Sequence, residues 1–355
     1  MSIVEQLKPR ADHPGDHFWA GIATRDLSRV RTQGRVDIFT LKERVSYLKK
    51  YGSHCMSFSL LQHGMHYFDV PNAGFIAYRQ LWGIRAVLSD PVCDSKHRET
   101  IIAEFLGDGK KTGFVQISQG VALLLHEKFG YYATQFGVEV NVDIEKWGLK
   151  GKKKQVIRTA LNQAKKQGIV IEETCRIDGC RELTDEWLKT RRVKNREIVF
   201  LIRPMDMEYQ EGTRKFYAYQ KDELIGFIYF DPVYRGNRVT GYAPNISRFS
   251  STFKTGIFYP LMIHALEVFR REGVTCMHLG LCPAVVDEQD MPWESMIVKK
   301  IIRFLYRYGN WIFSFKGLYF TKTRFDGVES RTFCAHKERL PIKSFLTLFR
   351  LANII

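Results

Sequence analysis

Within the five residues Lys322-Thr323-Arg324-Phe325-Asp326 the chain places two cations and a carboxylate. Such a set can neutralise a phosphate or an oxyanion while the carboxylate holds an ammonium or polarises a hydroxyl. If the stretch is extended, Lys322, Arg324 and Asp326 alternate onto one face. The same letters also read as an Asp-Gly turn flanked by solvated cations. A second concentration of charge lies at 150–166, where Lys150, Lys152, Lys153, Lys154, Arg158, Lys165 and Lys166 occur without an acid. On a helix, Lys154, Arg158 and Asn162 share one face, while Val156, Ile157, Ala160, Leu161 and Ala164 turn to the core. A basic rail of this kind binds nucleic-acid phosphates or lipid headgroups through salt-sensitive contacts. A solvated helix face is the plainer alternative, and the absence of acids speaks against it.

Other chemistries find less support. Neither a Ser-His-Asp order nor an HExxH pair is present. Seven cysteines without a CxxC pair point to reduced thiols rather than a disulfide framework or a zinc site, so no metal is expected. Cys282, in the turn Gly280-Leu281-Cys282-Pro283, lacks a paired base and is a weak nucleophile, although that turn can bring backbone amides near a reacting carbonyl. His264, between Ile263 and Ala265, reads as a packed residue. Tyr306, Asn310, Phe315 and Lys316 can line a pocket with apolar walls or simply belong to the core. Phe253-Lys254-Thr255-Gly256 precedes a helical pattern, and with its one glycine it is a poor pyrophosphate loop, but Lys254 is placed to hold a single phosphate.

The elements that must position these residues come from a chain of 355 residues, 45% hydrophobic and 13% aromatic, with a net charge of +16. That length suggests two domains with real cores, and the charge favours a polyanionic partner. No stretch approaches the roughly 18 apolar residues of a membrane span, and the start lacks a signal-peptide pattern, so a cytoplasmic setting is expected. The pattern predicts a helix over 35–50, strands at 56–61, 66–70, 74–79 and 84–89, a helix after Asp94, a strand at 114–117, a helix at 121–129 and a strand pair over 131–143. A second round follows: the basic helix to Gln167, a strand at 169–173, a helix at 181–192, a loop with a short helix at 194–212 and a hairpin of 214–219 with 224–231, which 234–245 flanks. A helix at 258–271, a strand at 274–281 and a helix at 296–308 complete it, the last with Ile297, Ile301, Phe304 and Leu305 inward. The apolar tail at 340–355 is either a docking helix or an interfacial one. Both rounds run meander, helix, strand, helix, strand, an α+β arrangement of mixed, mostly antiparallel sheets flanked by helices.

Four segments in order, FIAYRQLWGIRAVLSDPVCD (75–94), LKGKKKQVIRTALNQAKKQG (149–168), HLGLCP (278–283) and LYRYGNWIFSFKGLYFTKTRFDGVESRTFCAH (305–336), resemble the catalytic domain of phosphatidylglycerol lysyltransferases, the DUF2156 family. The resemblance implies two tandem GNAT-like (acetyltransferase-like) domains, at 1–148 and 149–336, with 337–355 as a tail. It implies transfer of an amino acid, lysine or alanine, from aminoacyl-tRNA to the hydroxyl of phosphatidylglycerol or another anionic phospholipid, with no cofactor beyond the tRNA co-substrate. On this reading Asp326 with Lys322 and Arg324 is catalytic. Lys152, Lys153, Lys154, Arg158, Asn162, Lys254, Tyr306, Asn310, Phe315 and Lys316 bind substrate. Relatives carry Lys/Lys/Asp in the first stretch, so Arg324 stands for a lysine and Gly327 for a proline. The flippase domain that precedes the catalytic part in the best-known members is missing from this sequence, which leaves open a separate flippase partner, and the lipid acceptor points to a peripheral place on the inner membrane face. The missing domain also keeps open a soluble small-molecule acceptor, or an acyl-CoA or acyl-carrier N-acyltransferase.

Overall fold

The computed structural model describes residues 35–174, 178–190, 197–205, 209–250, 256–311 and 313–355. Its first part comprises β1 (Arg35–Val36), α1 (Leu41–Tyr51), β2 (His66–Val70), β3 (Gly74–Leu81), β4 (Ile84–Leu88), β5 (Val92–Cys93), α2 (Arg98–Leu106), β6 (Thr112–Ile117), α3 (Gln119–Phe129) and β7 (Tyr132–Asp143). There follow α4 (Gln155–Lys166), β8 (Val170–Glu173), α5 (Cys180–Lys189), β9 (Arg214–Gln220), β10 (Glu223–Arg235), β11 (Arg238–Phe249), α6 (Phe258–Arg271) and β12 (Cys276–Pro283). The last part holds α7 (Met296–Tyr308), α8 (Phe315–Thr323), β13 (Val328–His336) and α9 (Ile342–Leu351).

Local chemistry sets many of these bounds. Thr40 and Glu43 form a capping box at α1, and Ser118 and Ser295 cap α3 and α7. Three hairpins close through two-residue turns in which both residues have positive φ: Trp82-Gly83, Lys221-Asp222 and Gly236-Asn237. That conformation matches the right-handed twist of the flanking strands.

The strands form one sheet in the order β1-β2-β3-β4-β6-β13-β7-β12-β11-β10-β9-β8, with β5 paired to β3. Two pairs are parallel, β4 with β6 and β11 with β12, and the remaining pairs are antiparallel. The last strand of each round crosses to the other: β7 lies beside β12, and β13 lies beside β6. β7 and β13 pair with each other from Val328–Asn141 to His336–Tyr132 and form the seam of the sheet. One large core, including Val138, Val140, Phe230, Leu266, Phe269 and Phe325, lies under α4 and α6. A second, including Ile76, Ile101, Phe105, Ile117 and Leu125, lies under α2 and α3.

Several expectations are corrected. Residues 56–61 are no strand: Phe58–Leu61 is a fully buried 3-10 turn, and a short apolar run does not distinguish the two. Residues 35–36 form β1, so the first helix begins only at Leu41. Residues 131–143 give one strand, β7, and Tyr234 belongs to β10. Residues 197–205 and 209–212 contain no helix. Val156 is 40% exposed rather than inward. The face of α7 is turned around: Ile297, Ile301 and Phe304 are exposed, while Val298, Lys299 and Ile302 are buried. Lys299 can enter because its ammonium donates to Gln289 O at 2.6 Å and meets Glu294 at 2.5 Å.

Candidate active site

Trp147 and Phe325 fix the local geometry of both charged segments. Phe325 is fully buried, its carbonyl accepts the Trp147 Nε1–H at 2.6 Å, and the two rings lie 6.1 Å apart. The basic stretch follows Trp147, and Asp326 follows Phe325, so the clamp brings Lys153 Nζ to Asp326 Oδ1 at 2.8 Å. Asp326 adopts a left-handed φ of +56°, which aspartate tolerates better than most residues. The bond from Lys153 holds its carboxyl below the usual range, against an opposing effect of burial. Around this pair lies a cavity of about 270 Å³ lined by Lys153, Tyr319, Thr323, Asp326, Gly327 and Glu329. Tyr319 donates its hydroxyl to Glu329 at 2.9 Å, and burial followed by Glu329 pushes that phenol up to about 12.

The Lys322 to Asp326 stretch is not extended. Lys322 is in the last turn of α8, Arg324 caps it, and the three side chains diverge. Arg324 stacks on Phe320 with its Cζ 3.6 Å from the ring centroid. Lys322 turns inward and donates to Leu281 O at 2.8 Å. It meets the sheet where the β12–β7 register slips between His278 and Leu281, at Gly280 with φ +74°. A Cβ on Gly280 would stand 3.7 Å from Lys322 Nζ. Burial lowers the Lys322 pKa, and Cys282, Cys55 and Glu139 partly restore it.

The group beyond that bulge was not legible in the sequence. Glu139 is buried in β7 and its Oε1 has no hydrogen-bond partner. His54 Nε2 lies 3.6 Å from it, and His54, Cys55 and Glu139 each offer a ligand atom within 4.8 Å of the others. These residue types can hold zinc, but the hydrogen bonding does not suit it. His54 Nδ1 accepts the Met56 N–H at 3.1 Å, which assigns the proton of the neutral ring to Nε2 and removes the lone pair facing Glu139. Burial and then Glu139 raise the Cys55 thiol well above its usual range, and the Lys322 ammonium adds positive charge. The trio is a carboxyl group facing donors. Nearby, His278 Nδ1 bonds Asn141 Oδ1 at 2.7 Å, and burial, then His54 and Arg235, lower its pKa to about 4. The one signal for Glu139 in the sequence is its place among Val138, Val140 and Val142, where strand alternation turns it away from the core.

The other anticipated residues divide. Lys153 joins Asp326, while Lys154 stands 5.2 Å over the Trp147 ring. Arg158 is taken up by the carbonyls of Leu149 and Gly151, at 2.6 and 2.9 Å, so it does not continue a rail with Lys154 and Asn162. Lys152 and Asn162 are exposed. Tyr306 and Phe315 pack in a small core with Val298, Ile302 and Phe345, and burial, then Cys282 and Glu329, raise the Tyr306 phenol pKa. Lys316 donates to Arg307 O, and Asn310 is exposed. Lys254 lies outside the described residues. Burial pushes the Cys282 thiol up to about 11, which leaves little thiolate, and His264 packs edge-on against Phe216.

A larger, open hollow of about 710 Å³ at the opposite ends of β6 and β13 holds Lys110, Lys111, Lys128 and Lys337. Three of these already face acids: Lys111 meets Glu338 at 2.6 Å, Lys110 meets Asp108 at 3.7 Å and Lys128 meets Glu99 at 3.7 Å.

The family model described as "Phosphatidylglycerol lysyltransferase, C-terminal" matches residues 45–336. A phosphatidylglycerol lysyltransferase of Bacillus subtilis (strain 168) is 20% identical over 322 residues, 87% of this chain and 36% of that protein. Another, from Staphylococcus haemolyticus (strain JCSC1435), is 21% identical over 285 residues, 77% of this chain and 33% of its own length. The chain therefore spans about a third of the length of these relatives. Among solved structures, L-PGS from Bacillus licheniformis superposes with a TM-score of 0.74 at 21% identity, covering 88% of this chain and 96% of that one. A C-terminal DUF2156 domain from Agrobacterium fabrum gives 0.70 at 19%, covering 86% and 94%. Since the match takes in every strand from β2 to β13 and the clamp that joins Lys153 to Asp326, the chain belongs to the phosphatidylglycerol lysyltransferase C-terminal family and shares the α+β fold of these solved structures.

Proposed function

We propose that the protein transfers an amino acid from aminoacyl-tRNA to the hydroxyl of phosphatidylglycerol. The observation that carries this reading is the meeting of the acid-free basic segment with Asp326 at the cavity beside Tyr319 and Glu329. In the reaction the lipid hydroxyl oxygen attacks the aminoacyl carbonyl carbon, the bond to the tRNA ribose oxygen breaks, and the hydroxyl proton ends on that ribose oxygen. One ester replaces another, so catalysis rests on orientation, proton movement and charge stabilisation.

On this reading the roles divide among three groups. A carboxylate held ionised by Lys153 is a poor base near neutral pH but a good anchor for the α-ammonium of the amino acid, which supports a binding role for Asp326. The ammonium of Lys322, poised at the bulge with a lowered pKa, suits the oxyanion or the departing ribose oxygen. Lys150 and Lys152, exposed beside the clamp, would meet the phosphates of the acceptor stem.

The test is to supply tRNAs charged with labelled lysine, alanine or other amino acids together with phosphatidylglycerol vesicles. Label should appear in the lipid phase and RNase should abolish it. Turnover with acyl-CoA that ignores RNase, or no lipid label from any charged tRNA, would overturn the reading.

A further inference from the structure

The exposed face of α7 is an apolar stripe. Ile297, Ile301, Phe304 and Tyr308, at steps of four, three and four, share one side of the helix and are 36%, 42%, 61% and 54% exposed. Phe304 and Tyr308 pack their rings 5.0 Å apart. The opposite side is fixed to the body through Val298, Ile302 and the buried Lys299. Other exposed apolar residues, such as Val36 and Trp82, are scattered along the chain and need no such explanation.

A second helix extends the stripe. Ser295 Oγ, at the cap of α7, donates to Arg339 O at 2.5 Å and joins the starts of α7 and α9. Phe345 of α9 enters the same small core as Val298 and Ile302, while Leu340, Ile342 and Leu346 remain exposed. The sequences of α7, α8 and α9 contain no aspartate or glutamate, and Lys300, Arg307 and Lys343 stand exposed among them.

We infer that the α7 and α9 face docks on the interface of an anionic phospholipid bilayer, with Ile301 and Phe304 entering the headgroup boundary and Lys300, Arg307 and Lys343 meeting lipid phosphates. Apolar side chains flanked by cations, with no acid among them, are the chemistry of an interfacial helix. A second copy of the chain fits poorly, since a two-fold contact would set this cationic face against itself. The inference deepens the lipid reading and rests on it for where the acceptor lies, but docking itself needs no donor.

The experiment floats the full chain with vesicles of mixed phosphatidylglycerol and phosphatidylcholine, and with vesicles of phosphatidylcholine alone. Wild type should float with the anionic vesicles and only weakly with the neutral ones. Ile301→Ser with Phe304→Ser should reduce flotation about tenfold or more, and Lys300→Gln with Lys343→Gln should erase the preference for anionic lipid. Both pairs are exposed, so the melting temperature should stay near wild type, which separates lost docking from lost folding. Undiminished flotation of the folded Ile301/Phe304 variant would overturn the inference. So would a dimer in solution that the same variant dissociates while wild type ignores anionic vesicles. Vesicle binding without aminoacyl transfer from any charged tRNA would sink the transferase reading alone. Transfer to short-chain monomeric phosphatidylglycerol without vesicle binding would sink the docking face alone.

Discussion

At the scale of single residues the site rests on Asp326, whose charge is fixed by a partner far away in the chain. Lys153 lowers its pKa, so the folded state favours the carboxylate more than the unfolded chain does. The stabilisation from that pair is therefore present above the unfolded carboxyl pKa and disappears as pH falls through the lower folded value. Lys153→Gln should raise the Asp326 titration midpoint, read by carboxyl carbon NMR. It should cost at most about 1 kcal/mol at pH 7, because both partners are exposed, and progressively less as pH falls through the folded carboxyl pKa. An unchanged midpoint would mean that the two groups do not pair in solution. Asp326→Asn should lower kcat/KM for aminoacyl transfer by about thirtyfold or more, as expected when one partner of a charge-assisted contact is removed. Its unfolding midpoint should hardly move, and loss of activity with loss of fold would make the residue structural.

At the scale of elements, the bulge in β12 lets a lysine from α8 reach toward a carboxyl in β7. Gly280 supplies the left-handed backbone that the slip requires, close beside the Lys322 ammonium. Gly280→Ala should cost about 1 to 2 kcal/mol through that φ alone and should lower kcat more than it raises KM, since strain in the slip disturbs the Leu281 carbonyl that holds Lys322 while the basic segment stays. An alanine variant with wild-type urea midpoint and wild-type kcat would show that the slip is not needed to place Lys322. The long periodic helices were legible from the sequence: α6 and α7 occupy residues 258–271 and 296–308, as apolar spacing predicts. What that periodicity could not supply was which face of α7 turns inward, because the choice depends on Glu294 and the Gln289 carbonyl receiving Lys299. The Lys322 to Asp326 stretch misled for a related reason. Its alternation suits a strand, but the buried Phe325, bonded to Trp147, closes a helix end there instead. Glu139 becomes a site residue only once His54 and Lys322 converge on it, and no local pattern announces that.

For the whole molecule, the excess of sixteen positive charges is resolved into separate places with separate uses. Arg158 is taken up by carbonyls, Lys153 by Asp326, and Lys154 lies over the Trp147 ring, while Lys150 and Lys152 of the same segment stand exposed. The lysines of the 710 Å³ hollow sit at the other end of the seam strands. The twelve residues of β7 between the two ends span roughly 40 Å at the rise of an extended strand. Both clusters lie beyond one another's screening length at physiological salt, about 8 Å, so their effects on a bound polyanion should be separable. Lys150→Gln with Lys152→Gln should weaken tRNA binding and reduce the slope of log affinity against log salt by about 1.5, from about 0.7 to 0.9 per lost phosphate contact. Lys110→Gln with Lys128→Gln removes the same charge from the same protein, but from lysines already facing Asp108 and Glu99, and should leave the slope unchanged. Filter binding of charged tRNA over a salt series checks both. If the two double variants lower the slope equally, the protein attracts tRNA through its net charge alone, and the segment beside Asp326 loses its claim to be where the acceptor stem lies.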